Sequence, residues 1–231
     1  MGWMPRLGLI EQASGREIEF QVERLFNGGY AGRDQAAVWR HVEELADIGV
    51  PAPTRTPTLY ALSSYLATNV DSIQVQHEKT SGEVEYVLFV GREEIFVTVG
   101  SDHTDRDLES RSVEWSKQSY PDLLGREVWR YQEVADHWDD LILRCWVIER
   151  GERRLYQEGP VAALLPPSIW LGKLEDLFGV RPHNVVLMSG TIPSNGGISF
   201  ADAYEMELHD PVLGRTIRHG YRVEVMREKI V

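Results

Sequence analysis

From Val84 to Val90 the chain reads Val-Glu-Tyr-Val-Leu-Phe-Val, apolar at nearly every position. A run this short and this apolar predicts a strand covered on both faces. Alternate side chains share a face. Val84, Tyr86, Leu88 and Val90 therefore fill one side, and Val87 and Phe89 the other, which Glu83 and Glu85 extend. Gly91-Arg92-Glu93-Glu94 reads as a hairpin turn and 95–99 as the returning strand. With Val90 opposite Ile95, Glu85 faces Gly100 and Glu83 faces Asp102. Opposed residues share a sheet face, so three carboxylates are expected to meet, with Gly100 leaving open space above Glu85.

The remaining pattern is strand-rich. Residues 18–26 alternate and predict an early strand, followed by a flexible loop over 27–32. Asp34 predicts a helix cap, with the helix reaching about Asp47 and Ala37, Val38, His41, Leu45 and Ile48 on or near one face. Gly49 ends it before a proline-rich crossing at 50–57. Short helical pieces are expected over 162–165 and 171–178, a buried strand over 184–188, and a last hairpin of 203–208 with 218–226. Hairpins without repeating strand–helix units predict an α+β class with a β-rich mixed sheet.

Length and composition fit one folded domain over 1–231, with 1–26 as an N-terminal strand region and 27–231 as the main fold. A net charge of −12 argues against nucleic acid or an anionic membrane as the main partner. The single cysteine, Cys145, precludes an intrachain disulfide and suits a cytoplasmic protein. Residues 1–10 lack a signal-peptide core, and Arg6 stands where an acylation motif needs Ser or Thr. The longest low-charge run, 159–172, is broken by Pro160, Pro166 and Pro167 and is too short to span a bilayer.

Buried carboxylates are costly unless neutralised. Glu83, Glu85 and Asp102, with no adjacent cysteine or histidine pair, fit Mg2+, Mn2+ or Ca2+ better than zinc or copper. Glu205 and Glu207 have the same spacing but form the polar face of a half-exposed strand, with Arg215 and Arg218 across the turn. No G-x-S-x-G elbow or P-loop occurs, and Gly28, Gly29 and Gly32 complete no dinucleotide fingerprint. A helical His-x-x-x-His pair is also missing.

Four segments in order carry a resemblance: Glu83-Val84-Glu85; Gly100 to Leu108, containing Asp102 and Arg106-Asp107-Leu108; Ser116-Lys117; and Ser189-Gly190-Thr191-Ile192-Pro193. Together they resemble the fumarylacetoacetate hydrolase superfamily, most of all its DUF2848 branch. The resemblance implies a β-rich sheet rolled on itself, usually homodimeric. It also implies a Mg2+ or Mn2+ site (Ca2+ as a substitute) that cleaves a carbon–carbon bond beside a ketone in a small anionic acid. Carried over by position, Glu83, Glu85 and Asp102 become metal ligands. Lys117 becomes a donor to ligand carboxylates or to a water on the ion, and Gly190 and Thr191 hold a substrate carboxylate.

The family's His-x-x-Glu pair follows an Asn-Tyr segment. Here Tyr30 is followed by Arg33 where that histidine would stand, and His41, eleven residues after Tyr30, restores the spacing with Glu44. His41 is expected to activate water and Glu44 to orient the His41 imidazole, with Tyr30 and Arg33 as substrate-binding groups. Decarboxylation or isomerisation of a 2-oxo acid, or a non-catalytic dimeric metal-binding module, are the alternative readings. His103 adjoins Asp102, but neighbouring strand residues face opposite ways. The chain departs from the family in its plain hairpin between Glu85 and Asp102, in the extra Ile192, and in Trp115-Ser116 before Lys117.

Overall fold

The computed structural model describes residues 4–47, 53 and 55–226, and the side chains of 41 and 44–47 lie outside that description. The chain opens with β1 (Arg6–Glu11), β2 (Arg16–Gln21) and β3 (Arg24–Gly29). The strand expected over 18–26 is thus two strands. The amides of Glu23 and Arg24 both turn to the Asn184 carbonyl, at 2.9 and 3.3 Å, carrying the chain from a sheet edge into its interior. β3 continues through Gly29, so the expected loop begins later than the glycines suggested.

α1 (Gln35–Asp47) starts as expected, with Asp34 Oδ1 accepting from the Ala37 amide at 3.0 Å. Ile48, Gly49 and positions 50–52 and 54 of the proline-rich crossing lie outside the described residues. Next come β4 (Thr58–Leu62), β5 (Ala67–Thr68), β6 (Ser72–Val75) and β7 (Thr80–Ser81). The hairpin β8 (Val84–Val90) and β9 (Ile95–Asp102) follows, then β10 (Thr104–Asp105), α2 (Arg106–Glu109) and α3 (Val113–Gln118). β11 (Asp122–Leu124), β12 (Glu127–Arg130) and α4 (Tyr131–Val134) lead to the long hairpin β13 (Ile142–Glu149) and β14 (Glu152–Pro160).

The helical piece expected over 162–165 is a single 3-10 turn at Val161–Ala163. That over 171–178 is the latter part of α5 (Pro167–Phe178), which ends at Gly179 in the left-handed conformation. β15 (Val185–Met188), β16 (Ala203–Asp210) and β17 (Arg215–Val225) complete the fold.

A mixed sheet of ten strands has the order β2-β1-β12-β9-β8-β15-β3-β4, with β11 joining β9 to β5. Parallel pairing of β1 with β12 draws the N-terminal hairpin into this sheet. A second sheet of five strands runs β14-β13-β16-β17-β6. One core lies between the two, where Tyr86 and Leu88 meet Leu143, Val147 and Leu208. The other is lined mainly by the ten-stranded sheet: Val87 and Phe89 pack with Leu9, Phe20, Leu25, Leu62 and Met188, and Leu66 and Val113 close it from outside the strands. A sheet can enclose such a core only by curling, which makes it a half-barrel. β8 is buried at every position, and each large apolar side chain so covered contributes about 1.5–3 kcal/mol. No helix among the described residues is long and apolar enough to cross a membrane.

Candidate metal centre and cleft

The β8–β9 register is the one the hairpin predicted: Val90 pairs with Ile95 and Glu85 with Gly100. One step further, the Asp102 amide donates to the Glu83 carbonyl at 3.2 Å. Glu83, Glu85 and Asp102 accordingly offer oxygens that all lie within 4.8 Å of one another. The expected space above Gly100 is not there. A Cβ at Gly100 would meet Val87 Cγ2 at 2.6 Å and the Leu123 carbonyl at 2.8 Å, so this glycine serves close packing.

Each acid has a different partner. Asp102 Oδ2 pairs with Lys117 Nζ, and both side chains are buried. Glu83 Oε1 lies 2.8 Å from Arg106 Nη2, whose Nη1 donates to Glu109 Oε2 at 2.7 Å. Glu85 Oε2 accepts from the Gly190 amide at 2.7 Å, while its buried Oε1 has no hydrogen-bond partner. An unpartnered carboxylate oxygen in the interior is expensive as an anion. Burial and the neighbouring Asp102 accordingly push Glu85 well above the usual carboxylate range. Burial alone would lower Lys117, but Asp102, Glu83 and Glu85 outweigh it and keep the ammonium charged. Two cations thus offset three acids, and Glu85 retains an oxygen free for a hard ion. The donor set fits Mg2+ or Mn2+.

Two buried groups behind the trio were not expected. Asp122 pairs in register with Asp102 across β11 and β9, and its Oδ1 accepts from Asn27 Nδ2 at 3.1 Å. Burial, then the Asp102 charge, push Asp122 well above its usual range. Nothing in Pro121-Asp122-Leu123 signals this role. Arg106 lies within the segment that carried the resemblance, where its pairing with Glu83 had no sequence signal.

A cleft of about 550 Å³ opens over Glu83 and Glu85, lined also by Lys117, Tyr30, Gly190 and Thr191 among others, while Asp102 is fully buried and off its lining. Its wall is built by residues 28–32. A Cβ at Gly28 would stand 2.8 Å from Trp170, at Gly29 2.4 Å from Tyr60, and at Gly32 2.8 Å from Val38. These glycines let large side chains approach the backbone. Tyr60 is a further lining residue, and burial, then Tyr30, push its phenol up to about 12. Burial, then Glu109, also raise Tyr30, which keeps it a hydrogen-bond donor at neutral pH.

Other expected site residues stand as follows. The Gly190 amide is spent on Glu85, and Thr191 Oγ1 donates to the Val84 carbonyl at 2.8 Å while accepting from Gln157 Nε2 at 2.8 Å. Both line the cleft as framework, which differs from an open carboxylate-binding turn. Arg33 is not brought to the cleft. It forks onto Asp139 at 2.7 and 2.8 Å and donates to the Leu164 carbonyl at 2.9 Å. The side chains of His41 and Glu44 lie outside the described residues.

His103 faces away from the trio, bonded to Tyr221 Oη and Thr80 Oγ1 at 2.9 Å each, and burial holds it down to about 3. In the contrasting acid pair, Glu205 bonds Arg153, and Glu207 is buried between Arg144 and Arg218. Arg215 instead serves Asp210 and Glu133. Cys145 is buried, and burial raises its thiol.

The half-barrel recurs in solved structures. A fumarylpyruvate hydrolase from Pseudomonas aeruginosa, in complex with Mn2+ and pyruvate, aligns with a TM-score of 0.63 at 17% identity, covering 98% of this chain and 99% of that one. A protein from Oleispira antarctica, provisionally named a fumarylacetoacetate isomerase/hydrolase, gives 0.64 at 20% identity, covering 94% and 99%. The apo form of 2-keto-3-deoxy-D-arabinonate dehydratase gives 0.61 at 16%, covering 90% and 74%. No curated protein matches the chain. The fold is therefore that of the fumarylacetoacetate hydrolase superfamily. The family described as "Protein of unknown function (DUF2848)" matches residues 28–221, and the chain belongs to that family.

Proposed function

We propose that this protein is a divalent-metal-dependent hydrolase that cleaves a carbon–carbon bond in a small 2-oxo or 1,3-dicarbonyl acid. The convergence of Glu83, Glu85 and Asp102, with the two glutamates and Lys117 lining one cleft, carries this reading. The three acids would hold Mg2+ or Mn2+, with Ca2+ as a substitute. When bound, the ion acts as a Lewis acid that draws charge from a carbonyl oxygen as the bond breaks.

The rest falls to the chain. The Gly190 amide fixes one oxygen of Glu85 and leaves the other facing the centre. Lys117 orients Asp102 and supplies positive charge for an anionic substrate. Tyr30, protonated, can donate to a substrate oxygen. His41 is assigned as the base, with Glu44 orienting its ring. Position 41 lies one helical turn beyond Val38, which lines the cleft. His41 takes a proton from water, and the water oxygen adds to the carbonyl remote from the carboxylate. The cleaved bond's electron pair stays on the 2-oxo fragment, which regains a proton. A cytoplasmic homodimer is the expected setting.

One observation favours a second reading: Lys117 and Arg106 already offset Asp102 and Glu83. The fold would then serve a non-catalytic module that binds an ion or ligand. Decarboxylation and isomerisation of 2-oxo acids develop the same charge and belong to the same screen. Acylpyruvates and 2-oxo acids, assayed with Mg2+ or Mn2+ against Asp102→Ala, decide between them. Turnover lost in the variant supports the hydrolase, and Mn2+ retention with no turnover supports the module. Absence of Mn2+ binding overturns the hydrolase and the ion-binding form of the module.

A further inference from the structure

We infer that the apolar walls of the cleft select an apolar, uncharged tail, so that the substrate carries its only carboxylate at the acid-lined end. The inference rests on the reading above and adds the substrate class. Besides Glu83 and Glu85, the cleft is walled by Val38, Tyr60, Val113, Leu164, Ile192 and Pro193. Among the described residues lining it, Lys117 is the one cation, and it is committed to Asp102.

Neither nearby arginine is free to take a second carboxylate. Arg33 is held by Asp139 and the Leu164 carbonyl, outside the lining. Arg106 is divided between Glu83 and Glu109. Glu109 itself lines the cleft and would repel a distal anion. A dicarboxylate would have to place its second charge among hydrocarbon and the neutral Tyr30 and Tyr60 hydroxyls, with no free cation to offset it. A hydrocarbon tail gains from the same walls. Selectivity is the difference between these two terms.

Calorimetric titration of the Mn2+-loaded full chain with 2-oxo acids tests the assignment without requiring turnover. 2-Oxohexanoate and 2-oxoadipate have equal carbon counts and differ in the distal carboxylate. The apolar acid should bind at least about tenfold tighter. Extension to 2-oxooctanoate should gain roughly fourfold per methylene. Val113→Arg, at a half-buried rim position, should shift the preference toward 2-oxoadipate. In turnover, hexanoylpyruvate should exceed fumarylpyruvate in kcat/KM.

Equal or tighter binding of 2-oxoadipate by the parent protein overturns the apolar-tail assignment and leaves the 2-oxo acid site standing. Binding of neither acid, with Mn2+ retained, overturns the 2-oxo acid site as well.

Discussion

The Gly190 amide donates to Glu85 Oε2 at 2.7 Å, joining the turn after β15 to the acidic end of β8. Gly190 has a φ of +84°, and a Cβ there would stand 2.6 Å from the Ala31 Cβ and 2.9 Å from the Gly28 carbonyl. Gly190→Ala should therefore cost about 2 kcal/mol in stability and weaken Mn2+ binding. Thermal unfolding with and without Mn2+ checks both. An unchanged Tm would show that the turn yields easily.

Lys117 is buried against Asp102, so its removal leaves an uncompensated anion inside the protein. For Lys117→Met the metal-free form should lose about 3 kcal/mol. With the competing positive charge gone, Mn2+ should bind more tightly and raise Tm by more than in the parent, while turnover falls. Equal Mn2+ stabilisation in both proteins would contradict the electrostatic account.

Asp122 is held toward its neutral form by burial and by Asp102. Asp122→Asn preserves an acceptor for Asn27 and should alter stability by less than about 1 kcal/mol. Asp122→Ala strands Asn27 and should cost about 1–3 kcal/mol. Denaturant midpoints of the two variants provide the comparison.

Glu11 supplies the pH dependence. Its bonds to Arg130 and Ser14 lower it from 4.5 to about 2. Below about pH 4.5 the unfolded chain binds a proton that the folded chain refuses. The stabilisation present above that pH is therefore lost as pH falls toward 2. Glu11→Gln should be less stable than the parent at pH 6, with the gap narrowing at pH 3, measured by urea midpoints.

The hairpin register was legible because β8 is apolar on both faces and its turn is short, so one alignment buries everything. That alone brought Glu83, Glu85 and Asp102 together. Local alternation could not reveal the break after Val22, because the Asn184 carbonyl that takes both following amides is remote in sequence. Glycines at 28 and 29 suggested a loop, whereas they are in β3 to admit Trp170 and Tyr60. Arg33 resembled a substrate group because Asp139, its partner, lies 106 residues away. Glu207 looked half exposed for a similar reason, since Arg144 comes from a distant strand. Lys117 came from motif order, which holds information that periodicity lacks.

Because β8 is enclosed on both sides, its amides should exchange with deuterium only when the whole domain opens. The acids at its end are thereby set on a rigid mount, while the half-buried Tyr30, Val38 and Val113 on the cleft lining form the adjustable rim. Descendants of this architecture can acquire new substrates by altering that rim, without disturbing the machinery below it.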